Sequence, residues 1–181
     1  MGKTYSIVAA GFGGQGILFA GRQLALTGMY LGKNVTWLPS YGAESRGGTS
    51  NCTVIVSDDP IGAPVVLNHD IAMVMNLPSF LKFGALLKPG GYLFCDSSLI
   101  SEKSGRDDIN SFYLPATDIA DKELGATKAA NVVMLGKLIK ETGLFTFDEF
   151  VMSMEKSLPE SRKHLLDMNV KALRLGFDYS G

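Results

Sequence analysis

A glycine-rich turn lies between an apolar segment and a helical segment near the start of the chain. Residues 11–16 read Gly-Phe-Gly-Gly-Gln-Gly, and the first, third and sixth have the glycine spacing of a phosphate-binding turn. The apolar run Thr4–Ala10 predicts a buried strand, and Ile17–Leu31 predicts a helix. Such a turn presents backbone N–H groups at the positive end of a helix, where an anion can bind. The candidate anion-binding residues are Gly11, Gly13, Gly14, Gln15 and Gly16.

The residues beyond the turn argue against an ordinary dinucleotide site. Nicotinamide- and flavin-binding units place an Asp or Glu about 20 residues after the turn, on the ribose hydroxyls. Here the second predicted strand, Asn34–Leu38, runs into Pro39, and no acidic residue lies between Gly16 and Glu44. A second interpretation is that the glycines only let the helix pack tightly on the strand.

A second polar, glycine-rich cluster extends from Pro39 to Ser50 and is predicted to be a long loop between two strands. Loops of this length in compact domains are often functional. Glu44 and Arg46 are two residues apart, so they can pair within the loop or each contact another chain. The alternative is an exposed loop with two ordinary charges. The candidate residues are Ser40, Tyr41, Gly42, Glu44, Arg46, Gly47, Gly48 and Thr49.

The alternation of apolar and helical segments predicts a three-layer α/β/α, Rossmann-like fold with a mostly parallel sheet. Short connections around Ser50–Ser57 allow one antiparallel strand, so that the sheet can be mixed. No linker is visible, and residues 1–181 are expected to form one domain. The further strands are predicted at Ser50–Ser57, Ile71–Asn76, Gly91–Asp96 and Ser111–Pro115.

The helices of the second half are predicted from caps, prolines and apolar periodicity. One spans Ser79–Leu87, with Pro78 in its first turn and Pro89–Gly91 closing it; others begin at caps Thr117, Thr127 and Thr146 and at Pro159. Ligand sites in such sheets lie beyond the carboxyl ends of the strands. This rule brings the turn 11–16, residues 40–49, Asn76 and Asp96–Ser98 to one edge.

Composition and charge argue against a nucleic-acid-binding, membrane-spanning or secreted protein. The net charge of −1 gives no electrostatic footprint for nucleic acid or an anionic membrane. No apolar run approaches the ~18 residues of a membrane span, and the start of the chain lacks the pattern of a signal peptide. The two cysteines fit a reducing compartment, so a cytoplasmic location is expected.

The quoted motifs resemble the gamma subunits of the 2-oxoacid:ferredoxin oxidoreductases. The similarity covers nearly the whole chain, and the block 41–50 is far more specific than the glycine turn. It is carried by residues 11–16, 37–50, 57–61, 88–91, 96–100 and 131–136.

This resemblance implies a subunit, inactive alone, of an EC 1.2.7-type enzyme that oxidatively decarboxylates a 2-oxoacid to acyl-coenzyme A and reduces ferredoxin. Thiamine diphosphate with Mg²⁺ is expected on alpha and beta subunits, and iron–sulfur clusters on beta or delta subunits. No cofactor is expected on this chain. The glycine turn is expected to hold a coenzyme A phosphate or to join an interface, and residues 40–49 to form an interface near the active site. Pyruvate, 2-oxoisovalerate and 2-oxoglutarate all remain possible substrates.

The residues themselves fit this division of labour. The chain has no Gly-Asp-Gly, the start of a thiamine diphosphate motif, and its only thiols, Cys52 and Cys95, are too few for a cluster. His69 and His164 have no second ligand at metal spacing, so no metal site is expected. A free-standing Rossmann-like nucleotide-binding oxidoreductase is the alternative function. A purely structural subunit, whose turn binds nothing, is a third possibility.

Overall fold

The computed structural model describes residues 2–41 and 48–181, and within these ranges six strands form one sheet. The strands are β1 (Thr4–Phe12), β2 (Asn34–Tyr41), β3 (Thr49–Ser57), β4 (His69–Val74), β5 (Leu87–Asp96) and β6 (Asn110–Leu114). The helices are α1 (Ile17–Tyr30), α2 (Leu77–Ala85), α3 (Ala116–Leu124), α4 (Ala130–Thr142), α5 (Phe147–Ser157) and α6 (Leu166–Asp178).

The sheet has the order β2-β3-β1-β4-β5-β6. The pairs β1–β4, β4–β5 and β5–β6 are parallel, whereas β3 runs antiparallel to both β1 and β2. The expectation of one antiparallel strand in a mostly parallel sheet is therefore confirmed. This strand separates β2 from β1, although the two are consecutive along the chain and point the same way.

The central strand β1 is buried on both faces. Ile7 and Ala9 join a core formed with α1, α3, α4, α5 and α6, and Val8 and Ala10 join a smaller core formed with α2. Continuous apolar runs are typical of strands covered on both sides. The predicted three-layer arrangement is confirmed, but its outer layers are unequal, because α2 is the one α-helix of the described chain in the smaller core.

Helices α4 and α6 cross with their backbones in direct contact. A Cβ atom at Gly176 would overlap the carbonyl of Val133, and one at Gly136 would overlap the carbonyl of Leu173. Only glycine fits where two helix backbones approach this closely. The crossing fixes the start of α4 relative to the rest of the helical layer.

Several predicted helix boundaries are wrong. Residues Pro89–Gly91 lie within β5, because the helix before them already ends at Ala85. Thr117 does not cap α3, since its hydroxyl donates to the Asp96 carboxylate at 2.5 Å. The predicted starts of two further helices also differ from the structure. Thr127–Ala129 forms a 3-10 turn before α4, and Glu160–Leu165 forms a 3-10 segment before α6.

Other local predictions are confirmed. The side chain of Thr146 and that of Glu149 form a reciprocal capping box at the start of α5. Pro78 lies in the first turn of α2, and Asn76, predicted as the end of a strand, is instead the cap of this helix. None of the helices in the described ranges combines the length and apolar character needed to traverse a lipid bilayer.

His69 is a titratable residue in the smaller core. Its side chain is buried against Phe83, with ring centroids 6.3 Å apart, and Nδ1 has no hydrogen-bond partner among the described residues. Burial lowers the pKa of His69 below its ordinary 6.5, and Lys88 acts in the same direction, while Asp70 opposes them. The folded state therefore favours the neutral imidazole.

We expect the free energy of unfolding to fall as the pH drops below about 6.5. The unfolded chain binds a proton on His69 before the folded chain does, so acid favours unfolding, by at most about 1.4 kcal/mol per pH unit for one group. Urea unfolding at pH 7.5, 6.5 and 5.5 measures this slope. The variant His69→Leu should flatten it, and an identical slope in the variant would contradict the assignment.

Candidate functional site

The carboxyl ends of the parallel strands meet at one edge of the sheet. Ala10 of β1 pairs with Val74 of β4, and Val74 pairs with Cys95 of β5. The glycine turn follows β1, Asn76 follows β4, and Ser97 and Ser98 follow β5, so all three lie at this edge. This is the edge at which α/β sheets bind ligands.

The antiparallel strand brings the second glycine-rich cluster to the same edge. Gly13 N–H donates to the carbonyl of Gly48 at 3.0 Å, which ties the glycine turn to the start of β3. Ser40 and Tyr41 are at the end of β2, where they pair with Asn51 and Ser50. The candidate residues Gly42, Glu44, Arg46 and Gly47 lie outside the described residues.

The prediction of one long loop from Pro39 to Ser50 is wrong at both ends. Ser40 and Tyr41 belong to β2, and Thr49 already belongs to β3. The strands extend this far because each residue finds a ladder partner, for example Thr49 opposite Phe12 of β1. Propensity did not reveal the extension, because Pro39, a residue type depleted in strands, interrupts the pattern before Ser40 and Tyr41.

Gln15 holds the glycine turn in place. Its Oε1 accepts a hydrogen bond from Phe12 N–H at 2.6 Å, and its Nε2 donates to the carbonyl of Met75 at 2.9 Å. One side chain thus bridges the turn and the segment that follows β4. Both the oxygen and the nitrogen of the Gln15 amide thus make hydrogen bonds within the fold.

The glycines of the turn serve different purposes. Gly14 and Gly16 have φ values of 96° and 74°, a left-handed conformation that side chains rarely adopt. At Gly11, a Cβ atom would lie 2.5 Å from Gln15 Oε1, so glycine makes room for the bridging side chain. At Gly13, a Cβ atom would meet only the carbonyl of Gly48, at 3.8 Å, among the described residues.

Asn131, at the start of α4, is a site residue that the motifs did not reveal. Its Nδ2 donates to the carbonyl of Gly16 at 2.9 Å, and its buried Oδ1 has no partner in the described part of the chain. Asn76 Nδ2 is likewise buried without a described partner, while its Oδ1 caps α2 by accepting from Ser79 N–H. The block 131–136 that carries the family resemblance begins at Asn131, and an amide side chain at the start of a mainly apolar run is a second signal that could have singled it out.

The turn keeps some of the donors that an anion requires. Gly13 N–H and Gln15 N–H donate to carbonyls within the fold, those of Gly48 and Phe12. For Gly14 N–H and Gly16 N–H, no acceptor occurs among residues 2–41 and 48–181. The first N–H groups of α1 add to them, since a helix leaves these without internal partners. The geometry suits a small anion or another hydrogen-bond acceptor.

The same topology is unsuited to an ordinary dinucleotide. In nicotinamide- and flavin-binding units, the Asp or Glu that binds the ribose lies at the end of the strand next to the first strand. Here β3 occupies this place, and neighbouring strands are about 4.8 Å apart, so the end of β2 is roughly twice that distance from β1. The end of β2 also carries Pro39 and Ser40 instead of an acid.

The two thiols do not fit an iron–sulfur cluster. Cys52 packs in the larger core and Cys95 in the smaller core, on opposite faces of the sheet. Burial raises the pKa of Cys52 to about 11 and that of Cys95 to about 12, so both remain protonated thiols at neutral pH. Within the described residues, no group of three or more His, Cys, Asp or Glu side chains could hold a metal ion.

Residues 6–179 match the family model described as pyruvate ferredoxin/flavodoxin oxidoreductase. The chain belongs to this family. The ketoisovalerate oxidoreductase subunit VorA of Methanothermobacter thermautotrophicus is 36% identical over 94% of this chain. The 2-oxoglutarate synthase subunit KorC of Methanocaldococcus jannaschii is 35% identical, over 93% of this chain and 90% of its own length.

The crystal structure of the gamma subunit of a keto/oxoacid ferredoxin oxidoreductase from Geobacter sulfurreducens has the same fold. It superposes with a TM-score of 0.84 at 29% identity, covering 97% of this chain and 95% of that chain. The relatives differ in length, however. This chain spans only 35% and 37% of two VorA subunits, so family members occur both as short chains and as parts of longer ones.

We expect Gln15→Ala to loosen the turn without unfolding the chain. The change removes the acceptor of Phe12 N–H and the donor to Met75, so the free energy of unfolding should fall by about 1 kcal/mol. Amide hydrogen exchange at Phe12 should accelerate in Gln15→Ala and much less in Gln15→Glu, which keeps an acceptor oxygen. Unchanged stability and exchange in Gln15→Ala would contradict the bridging role.

Proposed function

We propose that this chain is the gamma-type subunit of a multi-subunit 2-oxoacid:ferredoxin oxidoreductase. The enzyme would oxidatively decarboxylate a 2-oxoacid to acyl-coenzyme A and pass the electrons to ferredoxin. The observation that carries the proposal is the match with KorC, a 2-oxoglutarate synthase subunit that this chain covers almost from end to end. On this proposal residues 1–181 act as one unit in the cytoplasm, where the two free thiols would stay reduced.

The redox centres would belong to companion subunits. Alpha and beta subunits would hold thiamine diphosphate and Mg²⁺, which supply the decarboxylation chemistry, and beta or delta subunits would hold the iron–sulfur clusters. The buried, protonated thiols of Cys52 and Cys95 support this division of labour. The contribution of this chain would then be to bind and position coenzyme A.

The glycine turn is the part of this chain that we propose to bind coenzyme A, through one of its phosphates. Gly14 N–H, Gly16 N–H and the first turn of α1 would donate to the phosphate oxygens, and the space above Gly14 is open, with no described atom within 4 Å of a Cβ position. Gln15 and Asn131 hold this arrangement before the ligand arrives. The unpartnered Nδ2 of Asn76 offers a further donor at the same edge.

Residues 40–49 would form the neighbouring interface with the active-site subunits. One described end of this segment lies beside the glycine turn, since Gly13 N–H donates to the carbonyl of Gly48. We propose Arg46 as its principal contact, because a guanidinium binds carboxylate or phosphate in a bidentate geometry that lysine cannot copy. Glu44 would orient Arg46 or meet a cation of the partner.

The first test is activity of the purified chain alone. With thiamine diphosphate, coenzyme A and a panel of 2-oxoacids, we expect no viologen reduction above background, and we expect reduction once companion subunits are added. Turnover by the chain alone would overturn the subunit proposal. Nicotinamide-dependent activity of the chain alone would instead favour a free-standing nucleotide-binding oxidoreductase.

The second test is Gly13→Ala in the assembled enzyme. Gly14 and Gly16 are unsuitable for this test because alanine at their positive φ values would strain the backbone. The methyl group at Gly13 would make only an ordinary contact with the carbonyl of Gly48. On this proposal it would also enter the space through which a phosphate approaches. We expect stability within about 0.5 kcal/mol of wild type and a several-fold higher KM for coenzyme A with little change in kcat.

Gly105→Ala is the matched control, because a Cβ atom there has no described neighbour within 4 Å and the residue lies in another loop. The control should leave the KM for coenzyme A unchanged. If Gly13→Ala behaves like the control, the turn is structural and the assignment of a phosphate site is wrong.

A further inference from the structure

The exposed large hydrophobic side chains are concentrated on the α2 side of the sheet. Eight such side chains are exposed in the described part of the chain; Met29 and Tyr30 lie at the end of α1, and Leu99 lies in the connection after β5. The remaining five, here called the α2-side patch, are Phe12, Leu38, Val65, Leu67 and Leu81. Scattered exposed hydrophobics are normal, but a one-sided concentration marks an interaction surface.

The strand register places the first members of the patch on this side. Phe12 follows Val8 and Ala10 at two-residue spacing along β1, and both of these pack in the core formed with α2. Leu38 of β2 pairs with Thr53 of β3, which pairs with Val8, so Leu38 lies on the same face. No α-helix of the described chain covers the β2–β3 half of this face, and Leu38 is therefore 39% exposed.

The connection from β3 to β4 extends the patch. Residues of this segment, among them Pro60, Ile61 and Val66, line a cavity of about 250 Å³ together with Ser6 and Ile55 of the α2-side face. The segment thus packs across the face that lacks a helix. Its own outer residues are strongly exposed, Val65 by 70% and Leu67 by 82%.

This part of the surface carries little charge. The sequence has 17 basic and 18 acidic residues, yet none of them falls in β2, β3 or residues 60–67. Asp70 and Lys88, which also line the cavity, form an ion pair of 2.7 Å with each other. Edge strands that face water are usually protected by charged side chains or proline, and the edge strand β2 has only Pro39. The lack of charged residues in these segments gives no electrostatic reason to expect nucleic acid or an anionic membrane as the partner, and depletion of charge is typical of protein interface cores.

We propose that the α2-side patch is the docking surface for a companion subunit of the same oxidoreductase, namely the one that corresponds to the additional chain of the longer relatives. This inference rests on the proposed function. This unit makes up 35% of one VorA subunit but nearly a whole KorC subunit. Where the additional chain is fused, it is tethered to this unit. Where the chain is separate, only noncovalent contacts can hold it, and the α2-side patch is the exposed apolar surface that this unit offers for them.

The test compares charge insertion on the two sides of the sheet in the full chain. The double variant Val65→Glu/Leu67→Glu and the matched control Met29→Glu, which alters a side chain 49% exposed, should both fold with the thermal stability of wild type. Each is tagged and expressed in the cells from which the gene comes, and the assembled enzyme is purified through the tag. We expect at least tenfold less assembled enzyme with the double variant and wild-type amounts with the control.

Hydrogen exchange of the purified complex provides a second measurement. In the wild-type complex, amides of β2 and of residues 60–67 should exchange more slowly than in the free chain. Equal assembly of the double variant, or protection confined to the outer faces of α4 and α6, would overturn the docking surface. A homodimer of the chain that only the double variant dissociates would also overturn it, because the occupant would then be a second copy.

The activity of the wild-type complex separates the two proposals. If it reduces viologen with a 2-oxoacid while the double variant assembles normally, the docking surface is wrong and the proposed function stands. If no 2-oxoacid oxidoreductase assembles around the wild-type chain, both are wrong.

Discussion

The antiparallel strand β3 hydrogen-bonds to β1 on one side and to β2 on the other, and the arrangement of the candidate site depends on this insertion. Because β3 runs backwards, its first residues lie beside the last residues of β1. The glycine turn and Gly48, just before β3, therefore meet at one edge, joined by the hydrogen bond from Gly13 N–H to the carbonyl of Gly48. The same insertion removes β2 from the place where an ordinary dinucleotide would contact its acid.

The glycine turn is fixed by side chains, although its motif consists mainly of glycine. Gln15 connects it to the segment after β4, and Asn131 connects it to α4. A turn held at both ends does not lose much conformational entropy when a ligand binds, which is the usual benefit of preorganisation. The close crossing of α4 and α6 contributes indirectly, since it fixes the helix that carries Asn131.

The order of strands and helices could be predicted from the sequence because each element has a strong local signal. The apolar run before the glycine turn, the capping box at Thr146 and Pro78 all act within a few residues. The predicted boundaries were wrong where a residue far away in the sequence determines whether a position belongs to a strand or helix. Thr49 is in a strand because Phe12 lies opposite it, and Thr117 is not a cap because Asp96 takes its hydroxyl.

In the candidate site, too, the local features could be predicted from the sequence and the long-range contacts could not. The glycine motif and the resemblance identified the turn, but neither indicated that Gln15 is occupied within the fold or that Asn131 contacts Gly16. Both facts depend on contacts between segments far apart in sequence, 60 residues for Gln15 and Met75 and 115 for Asn131 and Gly16. Periodicity and spacing carry no information at that range.

The contact between Gly16 and Asn131 also bears on the order of events during synthesis. The glycine turn leaves the ribosome first, and 115 further residues must be added before Asn131 exists. At about 5–20 residues per second, this takes roughly 6–23 seconds. The nascent turn lacks its contact with α4 throughout this interval. The complete set of contacts around the turn therefore forms only after the second half of the chain has folded onto the first.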